Sequence, residues 1–328
     1  MKILFINRPK FDYLQDFLFT GLTKILEQEA IIEHPWNPKY HLNFKSYPKN
    51  IGRIKGGIIG SYLRSLRTFN VDLVILGNCH RDSAILYKNL LDEIPDSVPR
   101  IFVDGGDRPE VGGDFFRLGG RDVFEDIIKK RPFDMVFKRE MLKGQEYADN
   151  VFPMPMCFNP QLTPEISKNK KYDVAFWAVE SHPIRTSVLE KLESLFDCKQ
   201  NGTVKNQVMS KYKRKGEFYL QELASCKIAL NFRGAGWDTL RYWEVPAVGG
   251  FMLGQEPGIL IPNNFEHGKH TIFCKEDLSD LVDLCEFYLE NEEEREKIAL
   301  AGKKHLLEFH TDSARAKYLL GKVQTGMK

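Results

Sequence analysis

The residues with the most chemical content lie in one stretch, Asn231-Phe-Arg-Gly-Ala-Gly-Trp-Asp-Thr-Leu-Arg-Tyr-Trp-Glu-Val-Pro-Ala-Val-Gly-Gly250. It reads as the end of a strand, a glycine-bearing turn and the start of a helix. Glycines at Gly234 and Gly236 let backbone approach a bound group, and a helix N-terminus offers N–H groups to phosphate oxygens. Arg233 and Arg241 add cationic donors. Glu244, one turn into the helix, has the reach to accept the paired hydroxyls of a ribose. A capped helix with surface arginines accounts for the same residues without a ligand, and on spacing alone the two readings stand level.

A second constellation, Asp104-Gly-Gly-Asp107 followed by Arg108, ends a strand in the N-terminal half. Carboxylates at a strand end suit a general base or an acceptor contact, though two glycines between acids also make an ordinary turn. The spacing is wrong for an Asp-x-Asp metal pair, so no metal is expected. His80 follows another strand, at the carboxyl end where open α/β sheets hold ligands, although a lone histidine is often structural. Asp104, Asp107 and His80 are the candidates for catalysis. The six cysteines lie far apart without a C-x-x-C pair, which fits neither zinc nor a disulfide framework and reads as reduced thiols in a cytoplasmic protein.

Positioning these groups requires a scaffold, and the pattern supplies one. With 328 residues, 42% hydrophobic and 28% charged, the chain can bury two ordinary cores without staples. No apolar run is long enough for a spanning helix, and the start, Met1–Asn7, reads as a buried strand and not as a signal peptide. Apolar runs at Lys2–Asn7, Val71–Leu76, Arg100–Val103 and Phe133–Phe137 alternate with helical spacings, the mark of a parallel sheet covered on both faces. Val151–Pro160, with three prolines, reads as the start of a linker continuing to Lys171. The alternation resumes with strands at Tyr172–Trp177, Cys226–Phe232, Gly250–Leu253, Ile259–Ile261 and Thr271–Phe273. Helices are expected at Ile184–Leu195, near Thr239–Val248, through Leu278–Tyr288, and from about Glu292 with a break near Gly302.

Several pieces, in order, resemble a known family. Arg241-x-x-Glu244, Ala247-x-Gly249 and the strand Phe251–Leu253 look like the donor-site block of GT-B glycosyltransferases. They are most similar to the glycosyltransferase-like group that includes the spore-maturation protein CgeB. Tyr172–Phe176 with Arg185, Tyr219–Asn231, Phe265–Gly268 and Asn291–His310 resemble further parts of the same C-terminal domain, over roughly Tyr172 to Leu320. The likeness extends more weakly to Phe133–Glu140 and Phe152–Pro155.

The resemblance implies an α/β GT-B fold, two Rossmann-like domains facing each other across a cleft. An N-terminal acceptor domain would span residues 1–155 and a C-terminal donor domain 156–328, with the last helix free to return to the N-terminal domain. It implies metal-independent glycosyl transfer from a nucleotide-sugar, a UDP-sugar in the first instance, to an acceptor that is a glycan, a lipid-linked sugar or a small molecule. Arg185, Arg233, Gly234, Gly236, Trp237, Asp238, Thr239, Arg241 and Glu244 would bind the donor, with Glu244 on the ribose. One position departs from the family pattern. Retaining members carry a glutamate eight positions before the ribose-binding one, and here that position is Gly236, which leaves retention or inversion open. A nucleotide-sugar 2-epimerase of the same fold and a non-catalytic sugar- or nucleotide-binding protein are the rival readings.

The net charge of +2 conceals an uneven distribution. His34–Asn70 carries seven Lys/Arg and Lys199–Lys215 six, both without a carboxylate, leaving 34 of the 47 basic residues against 45 acidic ones elsewhere. Such patches attract anions. The first also interleaves six aromatics, a mixture that suits either a solvated surface or a peripheral contact with the inner face of an anionic membrane. Nucleic acid is not an expected partner.

Overall fold

The computed structural model describes all residues except 44, 55–57, 66–69, 168, 199–215 and 327–328. The basic stretch Lys199–Lys215 therefore lies outside the described residues, as do Phe44, Lys55, Arg67 and Phe69 of the first stretch. The chain divides into two compact units. One comprises Met1–Asn159, Ile259–Ile261 and Asp312–Lys328, and the other Pro160–Gly258 and Pro262–Thr311.

The first unit is built on six parallel strands: β1 (Ile3–Ile6), β2 (Ile31–His34), β3 (Leu73–Leu76), β4 (Arg100–Asp104), β5 (Met135–Lys138) and β6 (Val151–Pro153), in the order β2-β1-β3-β4-β5-β6. Around them run α1 (Tyr13–Ile25), α2 (Pro38–His41), α3 (Ile58–Ser65), α4 (Arg81–Leu90), α5 (Gly113–Arg117) and α6 (Arg121–Lys130). Because strand side chains alternate faces, the apolar run of β1 feeds two cores. Leu4 and Ile6 join Val74, Leu76, Phe102 and Phe115 on one face, whereas Ile3 and Phe5 join Leu18, Leu22 and Leu319 on the other.

Two strands depart from the sequence expectation. β2 was not expected, because its short run contains Glu33, which is buried and paired with His41. Val151–Pro153, read as the start of a linker, is instead the edge strand β6. Proline is admissible there because an edge strand need not donate every ladder hydrogen bond.

The second unit holds four parallel strands, β7 (Tyr172–Ala175), β8 (Cys226–Asn231), β9 (Met252–Gln255) and β10 (Ile272–Cys274), in the order β10-β9-β8-β7. Its helices are α7 (Pro183–Leu192), α8 (Glu217–Ala224), α9 (Leu240–Ala247), α10 (Leu281–Glu290) and α11 (Glu292–Phe309). Ile259–Ile261, expected as a strand here, makes only an isolated bridge from Ile259 to Leu142 and belongs to the first unit. The expected break in α11 at Gly302 is absent. The glycine serves close packing instead, since a Cβ there would sit 2.5 Å from the His270 carbonyl oxygen.

The last helix, α12 (Asp312–Gly326), belongs to the first unit and lies along α1. Thr20 and Lys24 of α1 both bond the buried Asp312 carboxylate, at 2.8 and 2.6 Å. Ala316, Leu319 and Val323 are buried against the β1 side of the sheet.

Candidate functional site

The donor-type turn sits at the carboxyl ends of β7 and β8, and Arg185 of α7 holds it. Its Nε bonds the carbonyls of Phe232 and Arg233 at 3.3 and 2.9 Å, and Nη2 bonds Phe232 again at 2.9 Å. Its Nη1 bonds the Val179 carbonyl at 2.7 Å and Ser181 Oγ at 3.1 Å. One buried guanidinium thus ties the loop after β7 to the loop after β8. Burial, and then neighbouring Arg241, bring its pKa down to about 10, which leaves it charged at neutral pH. Gly234 lies against this clamp: a Cβ there would meet Ser181 Oγ at 3.0 Å and Arg185 Nη2 at 3.1 Å.

The rest of the segment divides between loop and helix. Arg233, half-buried, stacks its guanidinium over the Trp237 ring at 4.2 Å. The Gly236 carbonyl accepts from Gly234 N at 2.9 Å, closing the turn. Trp237 in turn lies against Gly258, where a Cβ would come within 2.9 Å of the indole. Asp238 is buried and accepts from Trp243 Nε1 at 2.8 Å, so it braces the helix start. Thr239 occupies the N-cap position of α9 but donates its hydroxyl to Asn231 Oδ1 at 2.6 Å and makes no side-chain cap bond. The first-turn N–H groups of α9 are therefore not taken by that hydroxyl.

Arg241 is buried. It donates to the Trp177 carbonyl and lies over the Phe176 ring, 5.5 Å from its centre. Glu244 is also buried and accepts the Tyr219 hydroxyl at 2.9 Å. Burial first, and then the neighbouring Glu244 carboxylate, push the Tyr219 phenol well above its ordinary value, so it stays a hydrogen donor. Tyr219, on α8, is a partner that sequence reasoning missed; a contact 25 residues away has no local signature. Pro246 sits inside α9, which stops just beyond it at Gly249, in the left-handed conformation at φ 73°.

In the first unit, the loops after β1, β3, β4 and β5 surround a cavity of about 230 Å³. Asp12, His80, Asp107, Asp114, Arg117 and Arg139 line it. This is where the strand order turns back between β1 and β3, the usual ligand position of an open sheet. The three sequence candidates have different fates there. Asp104 is fully buried, ion-paired with Lys138 at 3.3 Å, and accepts from Gly106 and Gly112 N–H at 3.2 and 2.8 Å. It shapes the loop and does not line the cavity. Asp107 lines it and pairs with Arg139. His80 lines it with Nε2 2.6 Å from Arg8 Nη1 and 3.7 Å from Asp12 Oδ2. Arginine only donates, so in the contact with Arg8 the His80 nitrogen is the acceptor. Arg8 and Asp12 were not picked out from the sequence, because they flank a different strand from His80.

Below this cavity lies a buried network. Asp16 contacts Lys39 Nζ at 2.7 Å and accepts from Gln15 Nε2 and the Tyr40 hydroxyl at 2.9 and 3.0 Å. Burial outweighs the lysine and raises the Asp16 pKa to about 6. A larger hollow of about 470 Å³ in the second unit, lined by Lys170, Lys227 and Lys303 among others, contains none of the candidate residues. Among the described residues no three His, Cys, Asp or Glu side chains gather into a ligand set, and no helix is long and apolar enough to cross a membrane.

Residues 185–321 match the family described as glycosyl transferase-like. No curated protein matches the chain in sequence. Among solved structures, Anabaena HepE in complex with UDP and glucose is similar with a TM-score of 0.61 at 10% identity, over 99% of this chain and 100% of that one. An alpha-glucosyltransferase in complex with UDP and a 13-mer DNA is similar with a TM-score of 0.55 at 12% identity, over 99% of each chain. A glycosyltransferase from Rickettsia africae reaches 0.53 at 11% identity, over 100% of this chain and 99% of that one. The chain has the GT-B fold, and its residues 185–321 match the glycosyl transferase-like family.

Proposed function

We propose that the protein transfers a sugar from a UDP-sugar without a resident metal. The observation that carries this reading is the turn held by Arg185, which leads into a helix that the Thr239 side chain does not cap and whose next turn bears Glu244. That arrangement suits a diphosphate at the turn and helix start, and a ribose at Glu244. UDP and UDP-glucose in the similar HepE structures support the choice of nucleotide. Leaving-group charge would be met by Arg233 and backbone amides, as fixed donors aimed at developing charge. Arg185 and Arg241 are bonded to backbone carbonyls and act by holding those donors in place.

In the first unit, Asp107 and His80 would meet an acceptor hydroxyl, since both line the cavity, with Asp104 holding the Asp107 loop. The finer likeness to the CgeB group rests on the C-terminal motifs.

Titration calorimetry with UDP tests the reading. A carboxylate accepting two ribose hydroxyls makes charge-assisted bonds of roughly 1.5–3 kcal/mol each. Glu244→Ala should therefore weaken UDP binding at least about tenfold in a folded protein, and turnover should survive EDTA. Unchanged UDP affinity would reject the ribose role, and activity lost in EDTA and restored by manganese would reject metal independence.

A further inference from the structure

Helix α3 is inside out. On a surface helix the apolar stripe faces the core and the polar face meets water. In α3 the exposed positions are Ile58, Ile59, Tyr62 and Leu63, at 40, 76, 48 and 51% relative exposure, whereas Ser61 is buried. At about 100° per residue the four apolar side chains span an arc of about 140°, with Gly60 and Ser61 on the other side. Ser61 is fixed inward: its Oγ accepts from Trp36 Nε1 at 2.9 Å and donates to the Ile58 carbonyl at 2.9 Å. Trp36 also meets the Tyr62 ring edge-on at 5.6 Å. The orientation is therefore set by named contacts with the segment after β2.

The stretch that carries this face has charge of one sign, although the turn Gln28–Ala30, which α3 also touches, bears an exposed Glu29. From His34 to Asn70 there is no carboxylate, and Lys45, Lys49 and Arg53 are exposed. Among the described residues Lys39 differs from these, turned inward onto Asp16. Elsewhere acidic residues are in excess, so a generally basic surface does not explain the stretch. An outward apolar stripe on a stretch whose charges are all cationic matches the interface of an anionic bilayer, where the stripe enters the acyl boundary and the cations meet the headgroups.

We infer that α3, with the exposed Lys45, Lys49 and Arg53 that precede it, forms a docking surface for an anionic lipid bilayer. This rests on the first unit alone and is independent of the glycosyl-transfer reading. Cosedimentation of the full chain tests it, using vesicles of phosphatidylglycerol mixed with phosphatidylcholine against phosphatidylcholine alone. Wild-type protein should pellet with the anionic vesicles, less so as salt rises. Ile59→Ser with Leu63→Ser should weaken binding at least about tenfold at any salt, since each side chain withdraws from an apolar layer. Lys45→Gln with Lys49→Gln should weaken it about thirtyfold at low salt, and less once screened. Both pairs are exposed, so thermal melts should match wild type and show that the fold is intact. The inference is overturned if wild-type protein ignores anionic vesicles at low ionic strength or if the apolar pair leaves binding unchanged. It is equally overturned if light scattering shows a dimer that the apolar pair dissociates, because a second copy would then cover the face.

Discussion

Arg185→Met asks whether this arginine reads a ligand or builds the loop. Its guanidinium reaches three carbonyls, those of Val179, Phe232 and Arg233, and the Ser181 hydroxyl. Removing it leaves those carbonyls short of donors, at roughly 1–3 kcal/mol for each that stays dry. Relief from burying a cation offsets part of that cost. The net expectation is a loss of about 3–5 kcal/mol in the second unit. Lysine has a single nitrogen and cannot bridge Val179 and Phe232 at once, so Arg185→Lys should recover less than half. Denaturant unfolding followed by tryptophan emission reads this unit selectively, because Trp177, Trp237 and Trp243 lie in it and only Trp36 in the other. A loss under about 1 kcal/mol for both variants would refute the clamp and return Arg185 to the role of a direct phosphate contact.

Two further outcomes follow from buried groups in each unit. Asp16 has a folded pKa of about 6 against an ordinary 3.8, so the native state binds the extra proton between those values. Stability should therefore rise as pH falls from 7 to 4, by about 2 kcal/mol, in the difference between wild-type and Asp16→Asn unfolding curves; a flat difference would refute it. Gly302→Ala should destabilise by about 1–3 kcal/mol despite alanine's helix advantage of about 1 kcal/mol, because the new methyl meets the His270 backbone. A raised melting temperature would show that the contact yields.

Legibility in the sequence followed how local each determinant was. β1, β3, β4 and β5 announced themselves as continuous apolar runs because both faces of the sheet are covered. β2 did not, since the partner that neutralises Glu33 is His41, beyond the strand itself. The turn and helix at Gly234–Ala247 were readable from glycine spacing and helix chemistry. Whether their arginines face a ligand or the backbone was not, because Arg185 and Arg241 find their carbonyls on loops 48 and 64 residues away. In the same way, Asp104 and Asp107 look equivalent in sequence, yet one faces Lys138 inside the sheet and the other lines the cavity.

The return of α12 to the first unit has a consequence for synthesis on the ribosome. The β1 side of that unit's core is closed by Ala316, Leu319 and Val323, which emerge only after the whole second unit has been made. At about 5–20 residues per second, some 150 intervening residues take roughly 8–30 s to elongate. Throughout that interval the apolar ridge of α1, including Leu18 and Leu22, has no helix to lie against. The nascent N-terminal unit therefore holds an incomplete core until α12 has been made.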